Sequence, residues 1–305
     1  MNTEMAYHVP VMLEECINGL NIRPDGVYVD VTFGGGGHSA AIVAKLTTGK
    51  LYAFDQDEDA LENTKGFDSK RFTLIEANFR YLKRYLKLHG VTKIDGLLAD
   101  LGISSHQIDA PERGFSTRFD GNLDMRMNQN DTLTAAKIIN TYSEDKLHKL
   151  FGIYGEVKNA KTLAALVYKS RLKQPIETIQ QFKQVISAVA PRGKEHKYYA
   201  QVFQALRIEV NQELEALQEM LEQAAEILKP DGRLVVMSYH SLEDRLVKNY
   251  IAKGKFFGEV EKDLFGNEQK PLQSVTRKPI EATEEELARN NRARSAKLRI
   301  AEKIG

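Results

Sequence analysis

Several features are scarce in this chain of 305 residues, and each scarcity excludes a class of protein. The single cysteine, Cys16, excludes a disulfide framework and a cysteine-rich metal site, and it fits a reducing cytoplasm. Lys and Arg number 43 against 42 acidic residues, so no overall charge points to a polyanionic partner. No apolar run is long enough to cross a bilayer, and no signal peptide is recognisable. We therefore expect a cytoplasmic globular protein with neither a membrane nor a metal as partner.

The stretch YVDVTFGGGGHS, from Tyr28 to Ser39, is the segment around which the chain is organised. A short apolar strand ending at Asp30 precedes four glycines, and a helical pattern follows them. Strand, glycine turn and helix N-terminus form the first unit of a Rossmann-like sheet, where the backbone can approach a ligand closely. A glycine run alone is equally typical of a flexible turn. Its position between a strand and a helix favours ligand binding.

Three further strands are predicted before residue 101, and each is followed by polar side chains. Asp55 ends the second strand about 20 residues beyond the glycine loop, where a carboxylate can accept both ribose hydroxyls; simple strand termination is the alternative. Phe79 follows the third strand, either as a staple for the next helix or as a wall against an adenine ring. Asp100 ends the fourth strand. Ligands bind beyond the carboxyl ends of such strands, so these side chains predict one binding site.

The glycine loop also indicates which cofactor the site would take. It lacks the final glycine of a dinucleotide fingerprint and supplies no lysine for a triphosphate. A nucleoside with an uncharged linker and an amino-acid tail fits better, which describes S-adenosylmethionine. The alternative is a nicotinamide-dependent oxidoreductase on the same kind of sheet, against which stand the absent third glycine and the lack of a substrate His–Asp pair. A Ser–His hydrolase is disfavoured because no G-x-S-x-G elbow is present.

The alternation of strands and helices stops after Asp109, and a run of helical patterns follows. We predict an all-helical domain over 109–199, inserted into a discontinuous sheet domain over 1–108 and 200–305. Arg113 and Arg126 lie in a charged loop that could contact RNA, close over a ligand, or be purely structural. One long amphipathic pattern then covers 203–228, and a fifth strand is predicted over 233–238. His240 follows this strand, with a substrate role and a packing role equally open.

The C-terminal segment from Arg289 to Arg299 holds five cations and no acid. Such a run is either a solvated face or a set of phosphate contacts, with Arg292 and Arg294 as the candidates. Leu298 and Ile300 alternate with cations, which indicates an edge strand with one apolar face.

Long motifs carry a resemblance to a known family. TFGGGGHS, DGLLADLGISSHQID, the RGFS segment with LDMRM, FQALRIEVNQEL, GRLVVMSYHSLEDR and NRARSAKLR together resemble the ribosomal RNA small subunit methyltransferase H family over essentially the whole chain. The resemblance implies an α/β fold, the class I S-adenosylmethionine-dependent methyltransferase fold, with the inserted domain serving substrate recognition. It implies methylation of N4 of cytidine 1402 in 16S rRNA within the small ribosomal subunit. The cofactor contacts that it implies are Gly36, Gly37, His38, Asp55, Phe79, Asp100 and Gln107.

Three positions depart from the family motifs, namely Asn122, Gln201 and Asn291. None of them removes an implied cofactor contact, so they bear on the substrate side. Asp100 is the candidate catalytic residue, and it could serve the cofactor, the acceptor amine or both.

Overall fold

The computed structural model describes residues 10–305. His8, for which the sequence leaves a ligand contact open as an alternative, lies outside the described residues. The strands are β1 Val27–Asp30, β2 Lys50–Asp55, β3 Phe72–Glu76, β4 Ile94–Asp100, β5 Leu228–Ser238, β6 Glu261–Lys262, β7 Glu268–Gln269, β8 Leu272–Ser274 and β9 Lys297–Lys303. The helices are α1 Leu13–Leu20, α2 Gly37–Lys45, α3 Leu82–Leu88, α4 Ser105–Asp109, α5 Ala135–Thr141, α6 Glu144–Ile153, α7 Ala160–Arg171, α8 Ile179–Ser187, α9 Glu195–Asn211, α10 Glu213–Ile227, α11 Ser241–Lys253 and α12 Glu284–Arg289. Among the described residues, no helix is both long and apolar enough to span a membrane.

Seven of the strands form one sheet in the order β3-β2-β1-β4-β5-β9-β8, and β6 pairs with β7 in a separate hairpin. Strands β1 to β5 pair in parallel, while β9 runs antiparallel to both of its neighbours. The continuous apolar runs of β2 and β4 suit strands that are covered on both faces. The order confirms the predicted α/β class and its class I methyltransferase arrangement. The carboxyl ends of the five parallel strands meet at one edge, which we call the ligand edge.

The described chain divides into two compact units. The sheet unit contains the residues up to Gly102 together with Leu214–Gly305, and the helical unit is Ile103–Glu213. The helical unit begins earlier and ends later in the sequence than the insertion predicted over 109–199. Its N-terminal end includes α4, and its C-terminal end includes α9, because Val202 and Leu206 are buried in the helical core.

Each unit has its own apolar cluster. In the sheet unit, Cys16 and Leu20 of α1 and Ile42 of α2 pack over the sheet residues Leu98 and Val235. In the helical unit, the cluster includes Phe151, Leu163, Phe182, Val202 and Leu206, all nearly inaccessible to solvent. Burying an aromatic or aliphatic side chain of this size stabilises a fold by about 1.5–3 kcal/mol, so each cluster supports its own unit.

The long amphipathic pattern over 203–228 is not one helix. The backbone enters the left-handed region at Gln212, with φ 49°, which ends α9 and starts α10. Periodicity could not reveal this break because the apolar residues keep helical spacing across it. The fifth strand begins at Leu228, earlier than predicted, because the turn around Asp231 is a bulge between paired residues of β4 and β5.

Candidate active site

The glycine loop connects β1 to α2 through backbone conformations that glycine adopts freely. Gly34 has φ 49°, and Gly36, with φ 77°, caps the start of α2. A Cβ atom on Gly37 would lie only 2.3 Å from Cγ of Pro10, so this close approach requires glycine. The next residue, His38, is buried and donates from Nε2 to the carbonyl oxygen of Val11 at 3.1 Å.

Asp55, at the end of β2, is joined directly to the glycine loop. Its Oδ2 accepts the backbone N–H of Gly34 at 2.8 Å, and its Oδ1 accepts that of Asp57 at 2.9 Å. Burial raises the pKa of Asp55 to about 6, although these two N–H donors act in the opposite direction. Each carboxylate oxygen has two lone pairs, so Asp55 can still accept hydrogen bonds from ligand hydroxyls.

Asp30 ends β1 but is committed to structure. It is nearly inaccessible to solvent, and its Oδ2 accepts the hydroxyl of Ser39 at 2.7 Å. Its Oδ1 accepts the backbone N–H of Thr32 at 3.1 Å. Asp30 therefore links the residues on both sides of the glycine loop, Thr32 before it and Ser39 after it.

Asp100, at the end of β4, is surrounded by three polar side chains of the sheet unit. Its Oδ1 accepts the hydroxyl of Tyr239 at 2.7 Å, and its backbone N–H donates to Oγ1 of Thr32, also at 2.7 Å. Its Oδ2 lies 3.7 Å from Nδ1 of His38. Burial raises the pKa of Asp100 to about 6, against the opposing effects of His38 and Tyr239. His38 and Asp100, two predicted cofactor contacts, thus lie side by side.

Tyr239 joins the candidate site through its hydrogen bond to Asp100, and the sequence analysis did not single it out. It follows β5 as Leu101 follows β4, and residues 100 and 237 are register partners in the parallel pair. Its position directly after a strand is where residues of a ligand edge are expected. The sequence alone, however, does not show that this tyrosine contacts Asp100, and without that contact a tyrosine at the end of a strand indicates nothing about function.

Phe79 begins a short 3-10 segment, Phe79–Tyr81, just beyond β3 and is partly buried. The preceding Asn78 caps this segment and donates from its side chain to Oε1 of Gln56 at 2.8 Å, which joins the ends of β3 and β2. Phe79 therefore follows the carboxyl end of β3, at the ligand edge. The staple and the adenine wall both stay open as roles for its ring.

The C-terminal cations also reach the ligand edge. Lys297, the first residue of β9, pairs with Ser238, the last of β5, so the preceding 3-10 turn Asn291–Ser295 lies at that edge. Arg292 and Arg294 are exposed, and Ala293 between them is buried. We call Asn291–Ser295 the basic turn.

Arg299 and His240 both interact with residues of α11. Arg299 forms a bidentate ion pair with Asp244 of α11, at 2.7 and 3.1 Å, so it does not belong with the exposed cations. His240 caps the start of α11: its Nδ1 accepts the backbone N–H of Glu243 at 3.4 Å, and Oε1 of Glu243 lies 3.2 Å from its Nε2. The described contacts of His240 are thus with the first turn of α11.

Three predicted site residues lie in the helical unit, where each has intramolecular partners. Gln107 is buried and forms a capping box with Ser104 at the start of α4. Arg113 is buried and donates to the carbonyl oxygens of residues 126 and 127, both at 3.1 Å. Arg126 forms a bidentate pair with Asp124, with both distances 2.7 Å. The charged loop is therefore internally bonded, and contact of Arg113 and Arg126 with RNA or a ligand stays a prediction.

The comparisons with known proteins agree on one family. The family model of the MraW methylase family matches residues 5–304. The chain belongs to the MraW methylase family. A relative from Cytophaga hutchinsonii, named "Ribosomal RNA small subunit methyltransferase H", is 63% identical over 297 residues, covering 97% of this chain and 99% of the relative. A protein of the same name from Flavobacterium johnsoniae is 55% identical over 305 residues and the full length of both chains.

Membership of the MraW methylase family decides between the two chemistries that a sheet of this kind allows. The nicotinamide-dependent oxidoreductase is not supported, and the methyltransferase prediction is confirmed. In this family member, the glycine loop, Asp55, His38 and Asp100 come together within one unit at the ligand edge.

Proposed function

We propose that this protein transfers a methyl group from S-adenosylmethionine to N4 of cytidine 1402 in 16S rRNA of the small ribosomal subunit, in the cytoplasm. The names of the full-length relatives support a ribosomal RNA substrate. The single observation that carries the cofactor assignment is the hydrogen bond between Asp55 and the Gly34 N–H. It supports Asp55 as the ribose acceptor, because it joins this carboxylate to a loop that offers close backbone approach.

The proposed cofactor contacts follow from this arrangement. Asp55 accepts the ribose hydroxyls, and the backbone around Gly36 and Gly37, at the N-terminus of α2, meets the amino-acid carboxylate. Phe79 borders the adenine. His38, Asp100 and Gln107 complete the proposed set.

The chemistry requires little beyond positioning and a proton acceptor. The exocyclic amine of cytosine is a poor nucleophile because its lone pair is delocalised into the ring. Transfer therefore needs nitrogen, methyl carbon and sulfur held in line, and an acceptor for the amine hydrogen as the nitrogen becomes tetrahedral. Displacement at a sulfonium carbon needs no metal. Asp100 is the proposed acceptor, since it is a carboxylate at the ligand edge.

RNA recognition is proposed for two basic regions, each in its own unit. In the helical unit, ten Lys and Arg but only two acids occur between residues 158 and 207. Lys161, Lys169, Lys194 and Lys197 are exposed there. In the sheet unit, the basic turn presents Arg292 and Arg294 at the ligand edge. Cations of this kind would hold phosphates while the cytidine is displaced from its stack.

The test is transfer of labelled methyl groups to small subunits that lack the modification, compared with free 16S rRNA and with fully modified subunits. We expect label in N4-methylcytidine at position 1402 after digestion, and none in the modified subunits. Label in another nucleoside would overturn the substrate assignment, and absence of transfer to any RNA would overturn the proposed function.

A further inference from the structure

The hydroxyl of Tyr239 is hydrogen-bonded to one of the two carboxylate oxygens of Asp100. It donates to Oδ1 of Asp100 at 2.7 Å. Burial, together with the charge of Asp100, raises the pKa of Tyr239 well above its ordinary value. The phenol therefore keeps its proton and remains the donor over the whole physiological pH range.

The rest of the surroundings fix the same carboxyl group. The backbone N–H of Asp100 is bonded to Oγ1 of Thr32, and Oδ2 faces Nδ1 of His38 at 3.7 Å. The His38 ring cannot turn freely because its Nε2 donates to the carbonyl oxygen of Val11. The hydrogen bond from Tyr239 lowers the basicity of Oδ1, so Oδ2 is the oxygen better able to take a proton from a ligand.

We propose that Tyr239 is a positioning residue of the methyl transfer, which orients Asp100 so that its Oδ2 takes the proton of the acceptor amine. This inference rests on the proposed function. In the step, the nitrogen lone pair forms the N–C bond to the methyl carbon, and the C–S bond breaks with its electron pair going to sulfur. The nitrogen then loses one proton to Oδ2. The products are the methylated neutral amine, the neutral thioether and a protonated Asp100, so atoms and charge balance.

The pH dependence of the step follows from the groups that face Asp100. Asp30 of β1 and Glu243 of α11 raise its pKa along with burial, while His38 of α2 and the Tyr239 hydroxyl lower it. Cys16 of α1 also lies within electrostatic reach. The balance leaves the carboxyl with a pKa of about 6, so it is ionised and able to accept a proton at neutral pH. Removing the Tyr239 hydroxyl removes one of the two stabilising groups.

The experiment is a single-turnover pH profile of methyl transfer with saturating cofactor and unmodified subunits, for the wild type and Tyr239→Phe. The acidic limb should move upward by about one pH unit in Tyr239→Phe, because the carboxylate loses a hydrogen-bond donor. Tyr28→Phe is the matched control: the Tyr28 hydroxyl accepts the backbone N–H of Arg23 at the opposite edge of the same sheet. It also loses one hydrogen bond but should keep the wild-type profile.

The outcomes separate this inference from the proposed function. If the wild type methylates no RNA, the proposed function fails. If the wild type is active and Tyr239→Phe has the wild-type profile, Tyr239 does not position the acceptor. Asp100→Asn provides a second variant if Tyr239→Phe unfolds: an amide cannot take the proton, so transfer at pH 8 should fall by at least about 100-fold and the acidic limb should disappear. An active Asp100→Asn protein with the wild-type acidic limb would equally overturn the inference.

Discussion

At the scale of single residues, Asp55 and Asp100 are acids that folding holds in an environment unfavourable to their charge. Both have a pKa raised from 3.8 to about 6, with burial as the largest cause. An acid whose pKa is higher in the folded state contributes stability below its unfolded pKa, and this contribution is lost as the pH rises through about 6. The cofactor-free protein therefore carries a cost at neutral pH for keeping both groups ionised. This loss of stability is expected where buried carboxylates are held ready to accept hydrogen bonds or a proton from a ligand.

The first prediction is that Asp100→Asn stabilises the cofactor-free protein at pH 8 and not at pH 4. The gain should be about 1–3 kcal/mol, since each pKa unit corresponds to about 1.4 kcal/mol and the amide oxygen can still accept from Tyr239. Thermal and denaturant unfolding at the two pH values would measure it. Asp68→Asn is the control with the opposite sign, because exposed Asp68 has a pKa lowered by the Lys70 N–H and Arg71. A less stable Asp100→Asn protein at pH 8 would contradict the account.

The second prediction concerns the ribose acceptor. Asp55→Asn should weaken S-adenosylmethionine binding by about 1.5–3 kcal/mol, because the amide group cannot accept at both positions and its NH2 meets backbone donors. Isothermal titration calorimetry would measure the change. Asp25→Asn, an exposed acid in the turn before β1, should leave the affinity unchanged. Wild-type affinity in a folded Asp55→Asn variant would exclude Asp55 from ribose binding.

How much of the site the sequence could predict depended on how local each signal was. The positions of Asp55 and Asp100 were predictable because each acid directly follows an apolar strand pattern, which is a local signal, while their roles stay predictions. Tyr239 was not, since its importance depends on a partner 139 residues away. The same limit explains Arg299, which belongs to an uninterrupted run of cations in the sequence but is paired with Asp244 in the fold.

At the scale of elements, β9 was predicted correctly as a strand, but its position in the sheet was not. The alternation of Leu298 and Ile300 indicated a strand correctly, but β9 is not the predicted edge strand. It lies between β5 and β8, and β8 is only three residues long and carries no pattern of its own. The antiparallel direction of β9 has a functional consequence: it brings the basic turn to the ligand edge.

The third prediction tests the basic turn as a phosphate-binding segment. Arg292→Ala combined with Arg294→Ala should weaken subunit binding and make it less dependent on salt, with the slope falling by about 0.7–0.9 for each phosphate that the variant no longer binds. Cofactor affinity should not change. Filter binding over a range of salt concentrations would measure the slope, with thermal melts to establish folding.

The matched control removes two exposed cations from α3, Arg84→Ala with Lys87→Ala. The net charge changes equally, so any general charge effect appears in both variants. If the basic turn merely solvates a surface, the two double variants will bind subunits equally at every salt concentration.

At the scale of the whole molecule, the chain divides at places that periodicity does not mark. Helical spacing continues through Gln212, yet the left-handed backbone there separates α9 from α10 and lies next to the boundary between the two units. Apolar spacing indicates which face of a helix is buried. It does not indicate whether that face packs in the apolar cluster of the sheet unit or in that of the helical unit. The alternation of strands and helices was the stronger signal, since it predicted that something is inserted after β4.

The last prediction assigns cofactor binding and RNA recognition to different units. Replacing residues 103–213 by a flexible Gly/Ser linker should leave a folded sheet unit, because its apolar cluster is made of its own residues. This variant should still bind S-adenosylmethionine measurably, more weakly if Gln107 contributes, and should methylate no subunits. Thermal melts, calorimetry and methyl transfer would measure the three properties. Methylation that survives the deletion would show that the helical unit is not the substrate-recognition domain.

A milder variant tests the same division without removing a core. Lys194→Ala with Lys197→Ala removes two exposed cations from the basic part of the helical unit. Because neither residue belongs to the apolar cluster, the fold and the cofactor affinity should be retained, while subunit binding weakens and its salt slope falls. Equal subunit binding by this variant and the wild type would leave RNA recognition to surfaces other than these lysines, even if the deletion variant is inactive.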